Sequence, residues 1–360
     1  MTKIMTIIGT RPEIIRLSRV IPALDNACEH ILIHTGQNHS HNLNDLFFEE
    51  LGIRKPDHYM DAAGTSFSQT IGQIIQKTAD VLEQYKPDKL LILGDTDSGL
   101  SSIVAKRMGI PVYHMEAGNR CFDNEVPEEV NRRIIDSCSD ILMPYTRNSR
   151  DYLLQEGYQP KSIVVTGNPI HEVIDYYMPS IEKANPLKKL DAKAKDYFLV
   201  TLHRAENVDK KDSLQNFMNI FDKLSSDYNK YILISVHPRM RKRLDDFGIK
   251  PKSNKIKLID AFGFFDFIHL QKNSYCVLSD SGTVPEECAI LNIPCVLLRK
   301  VTERPELLEV GSFILAGSNP DTILNAVKNV TQSKIKQNIP DDYKSISVSQ
   351  TVTRLIVGGL

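Results

Sequence analysis

The sequence lacks the features that would place it on a membrane or on nucleic acid. Its 360 residues carry a formal net charge of -1, so no strong overall field attracts an anionic polymer or surface. No apolar run reaches the roughly 18 residues of a membrane span, and the first apolar run is too short for a signal peptide. We therefore expect no nucleic acid partner, no membrane association and a cytoplasmic location.

Cysteine is present, but in a pattern that argues against metal binding. The six cysteines lie singly at positions 28, 121, 138, 276, 288 and 295, and no two form a C-x-x-C pair. Structural zinc sites use closely spaced cysteine or histidine ligands, and that spacing is missing. The sequence predicts reduced structural thiols and no metal site.

The common nucleotide signatures are missing as well. No G-x-G-x-x-G follows the first apolar run, and no G-x-x-x-x-G-K-[ST] occurs. A dinucleotide-dependent dehydrogenase and a P-loop NTPase are both disfavoured. We therefore expect no redox cofactor.

The chain does alternate short β-branched runs with longer helical patterns, as α/β proteins with parallel sheets do. The strand candidates are 3–8, 30–35, 89–94, 111–116, 140–145 and 162–167 in the first half, and 196–203, 230–237, 256–262, 275–280, 294–298 and 312–317 in the second. A chain of this length exceeds one compact core, so two doubly wound, Rossmann-like domains are predicted. Their predicted spans are 1–170 and 171–344, with a helix over 345–360 packing back on the first.

Polar residues follow the strand candidates in both halves. They occur at 9–13, 36–39, 94–97 and 116–120, and again at 203–207, 237–239, 279–283 and 299. Each has an ordinary explanation, such as a helix cap or a structural histidine. Because ligands of open α/β sheets bind at the carboxyl ends of the strands, their joint occurrence predicts two domains that face a ligand cleft.

Two helix starts, 9–10 and 282–283, offer free backbone N–H groups that suit a phosphate. Arg11 and Arg16 are placed to add charge-assisted hydrogen bonds. Glu287 lies one turn into the second of these helices, where it can accept hydrogen bonds from vicinal hydroxyls such as those of a ribose. The alternative, a helix-surface acid, stays open for Glu287.

A set of motifs extends over nearly the whole chain. In order they are GTRPEIIRLSRVI, HTGQN, LGDTDS, MEAGNR, VPEEVNRR, TGNPIHEVI, LHRAEN, SDSGTVPEECAILNIPCVLLRKVTERPE and VGS. Together they resemble the non-hydrolysing UDP-N-acetylglucosamine 2-epimerases. The resemblance implies the glycosyltransferase-B architecture, with two Rossmann-like domains and a UDP-2-acetamido sugar between them. It also implies C2 epimerisation without a cofactor, and we expect a homodimer.

Motif by motif, the resemblance implies roles for individual residues. Asp95, Glu116 and Glu128 are the candidate acid/base carboxylates, and His203 is expected at the departing diphosphate. The candidate substrate-binding residues are Arg11, Arg16, Ser281, Gly282 and Thr283 for the diphosphate, Glu287 for the ribose, Phe267 for the uracil, Asn119 and Arg120 for the sugar, and Arg239. Glu129 points about 100° away from Glu128 on a helix, so we expect it to form an ion pair or a structural bond.

One stretch resembles a particular branch of the family. Residues 119–122, Asn-Arg-Cys-Phe, stand where other members commonly have Leu-Arg-Thr-Gly. EAGNRCFD-x-x-VPEE resembles the enzymes that convert UDP-2-acetamido-2,6-dideoxy-L-talose to UDP-N-acetyl-L-fucosamine for capsule and O-antigen synthesis. Other departures are Arg16 for a usual Lys, Thr283 for a second Gly, and Leu202 for a Gly before the histidine.

Several alternatives remain open at this point. UDP-N-acetylglucosamine itself is an alternative substrate, with UDP-N-acetylmannosamine as product. A hydrolysing epimerase, a glycosyltransferase of the same architecture and a nucleotide-sugar-binding sensor are further readings. The clustered carboxylates argue against the transferase, and the presence of all three candidate carboxylates argues against the sensor.

Overall fold

The computed structural model describes residues 1–37, 41–333 and 338–359, with residues 41–45 described by their backbone alone. The sequence motif at 36–39 therefore falls partly outside the described residues, since Asn38 and His39 are not among them. The chain divides into two compact units: unit 1 is residues 1–176 with 341–360, and unit 2 is residues 177–340.

Unit 1 is built on a parallel sheet. Its strands are β1 (Lys3–Ile8), β2 (Glu29–His34), β3 (His58–Tyr59), β4 (Lys89–Leu93), β5 (Val112–Met115) and β6 (Ile141–Met143), in the order β3-β2-β1-β4-β5-β6. Its helices are α1 (Arg11–Leu17), α2 (Val20–Ala27), α3 (His41–Glu50), α4 (Phe67–Tyr85), α5 (Ser101–Arg107), α6 (Pro127–Ser137), α7 (Arg147–Gln155), the first part of α8 (Pro169–Lys183), and α17 (Val348–Gly358). Short 3₁₀ turns cover Asp97–Leu100, Pro160–Ser162 and Asp341–Tyr343. The strand order is that of a Rossmann domain.

Unit 2 repeats the same topology. Its strands are β7 (Tyr197–Leu202), β8 (Tyr231–Val236), β9 (Ile256–Asp260), β10 (Cys276–Ser279), β11 (Cys295–Leu297) and β12 (Ile314–Leu315), in the order β12-β11-β10-β7-β8-β9. After the end of α8, its helices are α9 (Pro186–Leu190), α10 (Ala205–Val208), α11 (Lys211–Tyr228), α12 (Pro238–Phe247), α13 (Phe264–Asn273), α14 (Val284–Leu291), α15 (Pro305–Glu309) and α16 (Pro320–Gln332). Counted from its own first strand, this sheet also has the Rossmann order, so the predicted fold class is confirmed.

The sheets form where the sequence is continuously apolar. In β1 every residue after Lys3 is buried, and β7 is buried at all positions but Thr201. Strands buried on both faces need helices on both sides of the sheet. The parallel arrangement then brings the carboxyl ends of neighbouring strands to one edge, where the polar loops lie.

One predicted strand is wrong and one observed strand was missed. Residues 162–167 form no strand: Ile163 makes a single bridge to Leu142, and the chain turns at Gly167, whose φ is 89°. The strand that completes this six-stranded sheet is instead β3. It has only two residues and pairs with the end of β2. So short a strand leaves no alternation of apolar and polar residues to detect.

The unit boundary lies inside a continuous helix. The sequence placed it after residue 170, at the start of α8, whereas the two units divide between Tyr176 and Tyr177. Because α8 is helical through this point, no polar linker marks the division in the sequence.

The final helix, α17, packs against α2 of unit 1. Its buried face includes Val352 and Ile356. Glu172 fixes its start by accepting hydrogen bonds from the Ser349 N–H at 2.8 Å and from the Ser349 hydroxyl. Near its end, Lys89 Nζ donates to the Ile356 carbonyl at 2.5 Å. No helix within the described ranges combines the length and apolar character that crossing a bilayer demands.

We expect Ile356→Ala to destabilise unit 1, because it removes a fully buried side chain from the contact of α17. Truncation of a buried Ile costs about 2–5 kcal/mol. The exposed Arg354→Ala on the same helix is the matched control and should change stability by less than about 0.5 kcal/mol. Urea denaturation measures both. Equal small effects would show that α17 contributes little to folding.

Candidate active site

A buried carboxylate connects the loops that follow β1 and β4. Glu13, in the first turn of α1, accepts hydrogen bonds from the Gly9 N–H at 3.1 Å and the Thr10 hydroxyl at 2.7 Å. It also accepts from the hydroxyls of Thr96 at 3.2 Å and Ser98 at 2.5 Å. Burial raises the pKa of Glu13 to about 7, although all four hydrogen bonds favour the anion. Glu13 therefore fixes the start of α1 against the segment that carries Asp95.

Helix α1 brings two arginines to this edge of the sheet. The buried Arg16 guanidinium lies 3.8 Å from Glu116 Oε2 and donates to Asn168 Oδ1 at 3.5 Å. Arg11 is half-buried, with its guanidinium 5.8 Å from the centre of the Phe47 ring. Burial lowers the pKa of Arg11 below its ordinary value. The structure thus places both predicted phosphate-binding arginines on unit 1's first helix, with Arg11 at its start and Arg16 in its last turn.

Asp95 is held by residues of α6. Arg132 Nε donates to Asp95 Oδ2 at 2.8 Å, and Arg132 Nη2 lies 2.7 Å from the same oxygen. Asn131 Nδ2 donates to the Asp95 carbonyl at 3.0 Å and to Asp97 Oδ1 at 3.3 Å. Burial raises the pKa of Asp97, and the negative charge of Glu128 adds to that shift against the Asn131 hydrogen bond. Three carboxylates therefore gather where β4 and α6 meet.

Glu116 reaches the same place from the end of β5 with an unusual backbone. Its φ is 70°, a left-handed conformation that few non-glycine residues adopt. Its Oε1 accepts from Asn119 Nδ2 at 3.0 Å, and Asn119 Oδ1 accepts from the Ser149 hydroxyl at 3.0 Å. A Cβ added at Gly94 would lie 3.6 Å from Glu116 Oε2, so this carboxylate is next to the turn that leads into Asp95.

Arg120 is a buried structural cation. Its guanidinium donates to Asp136 Oδ2 at 2.7 Å, to both carboxylate oxygens of Glu156 at 2.9 and 2.6 Å, and to the Asn119 carbonyl at 2.8 Å. Asp136 also pairs with His114 at 2.8 Å. Burial opposes ionisation of Asp136, but His114 and Arg120 hold its pKa below the usual range. These contacts favour an indirect role for Arg120, through Asn119, over contact with a ligand.

The neighbouring acids of α6 differ sharply. Glu129 is fully buried and forms ion pairs at 3.0 Å with both Arg132 and Arg133, and it accepts from the Cys121 N–H at 3.0 Å. The ion pair expected for Glu129 is confirmed. Glu128 is half-buried, and its Oε2 atom is buried with no hydrogen-bond partner among the residues that the structure describes. A buried carboxylate oxygen without a hydrogen-bond partner is costly, which makes Glu128 a position to explain.

In unit 2, His203 follows the end of β7 and contacts the buried Asp280. Its Nδ1 lies 3.0 Å from Asp280 Oδ1, and its side chain is 44% exposed. Asp280 also accepts from the backbone N–H groups of His203 and Arg204 and from Asn207 Nδ2 at 3.0 to 3.1 Å. Burial would raise the pKa of Asp280, but His203, Asn207 and Arg204 together hold it below its ordinary value. This pair fixes the imidazole through its Nδ1 atom.

The start of α14 follows β10 through the predicted phosphate loop. The Ser281 and Thr283 hydroxyls lie 3.1 Å apart, and the Thr283 N–H donates to Ser281 Oγ at 3.3 Å. Thr283 is the residue at the N-terminal cap of the helix. Glu287 is buried and accepts from Gln271 Nε2 at 2.5 Å. The structure thus brings Ser281, Thr283 and His203 to neighbouring strand ends, since β10 pairs with β7.

Two further candidates lie on neighbouring elements of unit 2. Arg239, at the start of α12, is exposed and pairs with Asp209 at 3.0 Å. Phe267 is half-buried on α13, whereas Phe264 of the same helix is fully packed. Partial exposure separates Phe267 from a core residue and keeps it as a candidate.

No individual role was predicted for Glu13, Arg132 or Asp280, although each holds a candidate residue in place. Glu13 and Asp280 each lie within five positions of a buried strand's carboxyl end, whereas Arg132 lies inside α6. Buried charges require partners, so a charge beside an apolar strand predicts an ion pair there. The sequence does not say which partner it takes.

Two parallel sheets of Rossmann order, with charged residues at the strand ends of each, define an α/β enzyme of the glycosyltransferase-B fold type. A family model described as UDP-N-acetylglucosamine 2-epimerase matches residues 23–357. The chain belongs to this family of non-hydrolysing isomerases, which epimerise UDP-sugars at C2.

Individual relatives agree with this placement. A Methanococcus maripaludis protein named UDP-N-acetylglucosamine 2-epimerase is 40% identical over 94% of each chain. A crystal structure of the Methanocaldococcus jannaschii UDP-GlcNAc 2-epimerase in complex with UDP-GlcNAc and UDP has 37% identity and a TM-score of 0.93, covering 99% of this chain and 100% of that one. A Pseudomonas aeruginosa UDP-2,3-diacetamido-2,3-dideoxy-D-glucuronate 2-epimerase is 33% identical over 98% of each.

We expect Glu13 to make folding stability depend on pH. Its pKa is about 7 in the folded protein and 4.5 as the ordinary value, so the folded state binds the proton more tightly. Stability should therefore fall as pH rises from about 4.5 to 7 and level off above that, by on the order of 3 kcal/mol at most.

Glu13→Gln removes this titration and keeps the size of the side chain. Urea denaturation of both proteins between pH 5 and 8 should show a smaller loss of stability with rising pH in the variant. The same pH dependence in both proteins would show that Glu13 is ionised throughout.

Proposed function

We propose that this enzyme inverts C2 of a UDP-2-acetamido sugar by elimination and re-addition. A base removes the C2 proton while the C1–O bond to UDP breaks, which gives a 2-acetamidoglycal and UDP. UDP then adds back to C1 while C2 takes a proton on the opposite face. The observation that supports this most is the group of carboxylates Asp95, Glu116 and Glu128 in unit 1, since two faces of C2 each need an acid/base group.

The three carboxylates differ in the partners that hold their oxygen atoms. Asp95 pairs with Arg132 at 2.7 Å, and Glu116 lies 3.8 Å from the Arg16 guanidinium. Glu128 keeps one buried oxygen without a hydrogen-bond partner in the described part of the chain. We therefore assign proton transfer at C2 to Glu128 first, with Asp95 and Glu116 completing the acid/base set.

The leaving UDP needs its developing charge stabilised. In this proposal the Ser281–Thr283 backbone and the start of α14 hold the diphosphate, as helix N-termini do for anions. His203 is oriented by Asp280, whose Oδ1 lies 3.0 Å from its Nδ1. Arg11 and Arg16 add charge, and Arg16 keeps the charge of the usual lysine with a planar, two-pronged donor geometry.

For the sugar, we propose UDP-2-acetamido-2,6-dideoxy-L-talose, with UDP-N-acetyl-L-fucosamine, a capsule and O-antigen precursor, as the product. The supporting residue is Phe122, which stands where a Gly is usual. Its side chain is 63% exposed, its φ is 55°, and its ring meets Tyr152 edge-on at 5.1 Å. An aromatic ring held in this way suits a C6 methyl group and crowds a C6 hydroxyl.

UDP-N-acetylglucosamine is the second candidate substrate, favoured by the names of the archaeal relatives. Kinetics with both sugars, followed by NMR in D2O, separates the two and tests the reaction. We expect deuterium at C2 of the product and a kcat/KM up to about 100-fold higher for the 6-deoxy sugar. An equal or higher kcat/KM for UDP-N-acetylglucosamine would contradict the 6-deoxy assignment. A product without deuterium would contradict the elimination.

The assignment of Glu128 gives a sharp comparison with its neighbour. Glu128→Gln should lower kcat by about 100-fold or more and leave UDP affinity and stability nearly unchanged. Glu129→Gln should lower stability by on the order of 3 kcal/mol, because it leaves buried Arg132 without its full partner. Steady-state kinetics, UDP calorimetry and urea denaturation measure the three quantities. A Glu128→Gln enzyme of normal rate would remove Glu128 from the chemistry.

A further inference from the structure

Gly282 is required by space and not by backbone conformation. Its φ lies outside the left-handed range that favours glycine. A Cβ placed on it would lie 2.2 Å from Glu303 Oε1 and 3.5 Å from Arg299 Nη1, and the first distance is far inside van der Waals contact. The Glu303 side chain therefore fills the position that any larger residue at 282 would occupy.

Glu303 is held there from two directions. Arg299, just after β11, is buried and its Nη1 lies 2.9 Å from Glu303 Oε2. The next residue, Arg304, donates through Nε to Glu286 of α14 and through Nη1 to the Glu303 carbonyl at 3.3 Å. Both the side chain and the backbone of Glu303 are thus tied to elements that surround the start of α14.

Arg299 itself is fixed by the sheet. Its carbonyl accepts from the Gly317 N–H at 3.0 Å, and the preceding Leu298 donates to the Ser279 carbonyl at 2.7 Å. Its side chain is 2% exposed, and Nη2 makes no hydrogen bond within the part of the chain that the structure describes. A buried guanidinium with so few hydrogen bonds contributes little to stability. We therefore look for the role of Arg299 in its position beside Gly282.

We propose that Glu303, clamped by Arg299, is a positioning residue for the nucleotide: it sets the path of the 281–283 backbone that receives the diphosphate. This rests on the proposed function, in which that backbone binds UDP. Backbone N–H groups bind a phosphate only when they point towards it. A loop that a buried ion pair already fixes therefore binds the diphosphate without the entropic cost of ordering the loop.

A double-mutant cycle read by calorimetry with UDP tests the contact. Gly282→Ala should weaken UDP binding about 10- to 100-fold, because the added methyl group overpacks against Glu303. In a background that carries both Arg299→Met and Glu303→Ala, which removes that clash without leaving Arg299 buried and unpaired, the same substitution should have almost no further effect. Gly72→Ala is the control, since a Cβ there meets nothing within 4 Å. An equal effect of Gly282→Ala in both backgrounds, or none in either, would overturn the proposal.

The clamp is tested by neutralising both partners at once, since a single substitution leaves a buried unpaired charge and risks misfolding. Arg299→Met with Glu303→Gln should keep a normal Tm and bind UDP about tenfold more weakly. The control is Lys223→Met with Asp227→Asn, an exposed pair at 2.9 Å in the same unit. Unchanged UDP affinity in the neutralised protein would give the pair a structural role only and overturn the positioning role.

Failure of this proposal and failure of the proposed function give different results. If the native protein does not bind UDP, the proposed function fails. The same cycle, with Gly282→Ala placed in the native protein and in the background of Arg299→Met with Glu303→Ala and measured by Tm, then decides whether the contact exists. The identity of the sugar does not affect these experiments, because UDP alone is the ligand in every titration.

Discussion

Burying a charge without a partner costs several kcal/mol, and that cost organises the functional ends of both sheets. In unit 1 the arginines of α6 pair with Asp95 and Glu129. In unit 2 Asp280 holds His203, and Arg299 pairs with Glu303. Each candidate catalytic group that is fixed in place is fixed by an opposite charge that approaches from a different element. The positions of the reactive groups therefore follow from charge neutralisation as much as from the backbone.

Both units have the same strand order, but the side chains at their strand ends differ. Unit 1 collects carboxylates at its strand ends, as proton transfer at carbon requires. Unit 2 offers a histidine on an acid and a helix start, as an anionic leaving group requires. One sheet topology, used twice in a single chain, thus carries two complementary sets of chemical groups.

The sequence predicted most of the fold because the fold depends on local, strong patterns. The runs of β1 and β7 are apolar throughout, and such runs indicate strands covered on both faces. The two-residue β3 has no such pattern, and residues 162–167 have a strand-like composition but turn away at Gly167. Existence and type of long elements could be predicted, whereas very short pairings depend on tertiary contacts.

For the candidate site, residue types could be predicted better than their partners. The different surroundings of Glu128 and Glu129 follow from helix geometry, and the ion pairs of Glu129 confirm that reasoning. The pairing of Arg120 with Glu156 and the donation of Thr96 and Ser98 to Glu13 could not be predicted, because these partners are distant in the chain. Pairing between distant charges is a property of the folded structure.

The backbone of Glu116 has a consequence for how this enzyme can evolve. At a φ of 70°, glycine or asparagine would adopt the backbone conformation with less strain. A longer side chain there is strained by about 1 kcal/mol or more. Replacing this glutamate with glycine or asparagine would therefore relieve the strain. In the proposed mechanism Glu116 takes part in proton transfer, so the residue that would be most stable at position 116 is not the residue that the reaction needs. Stability-guided redesign would remove Glu116 unless the residue were held fixed.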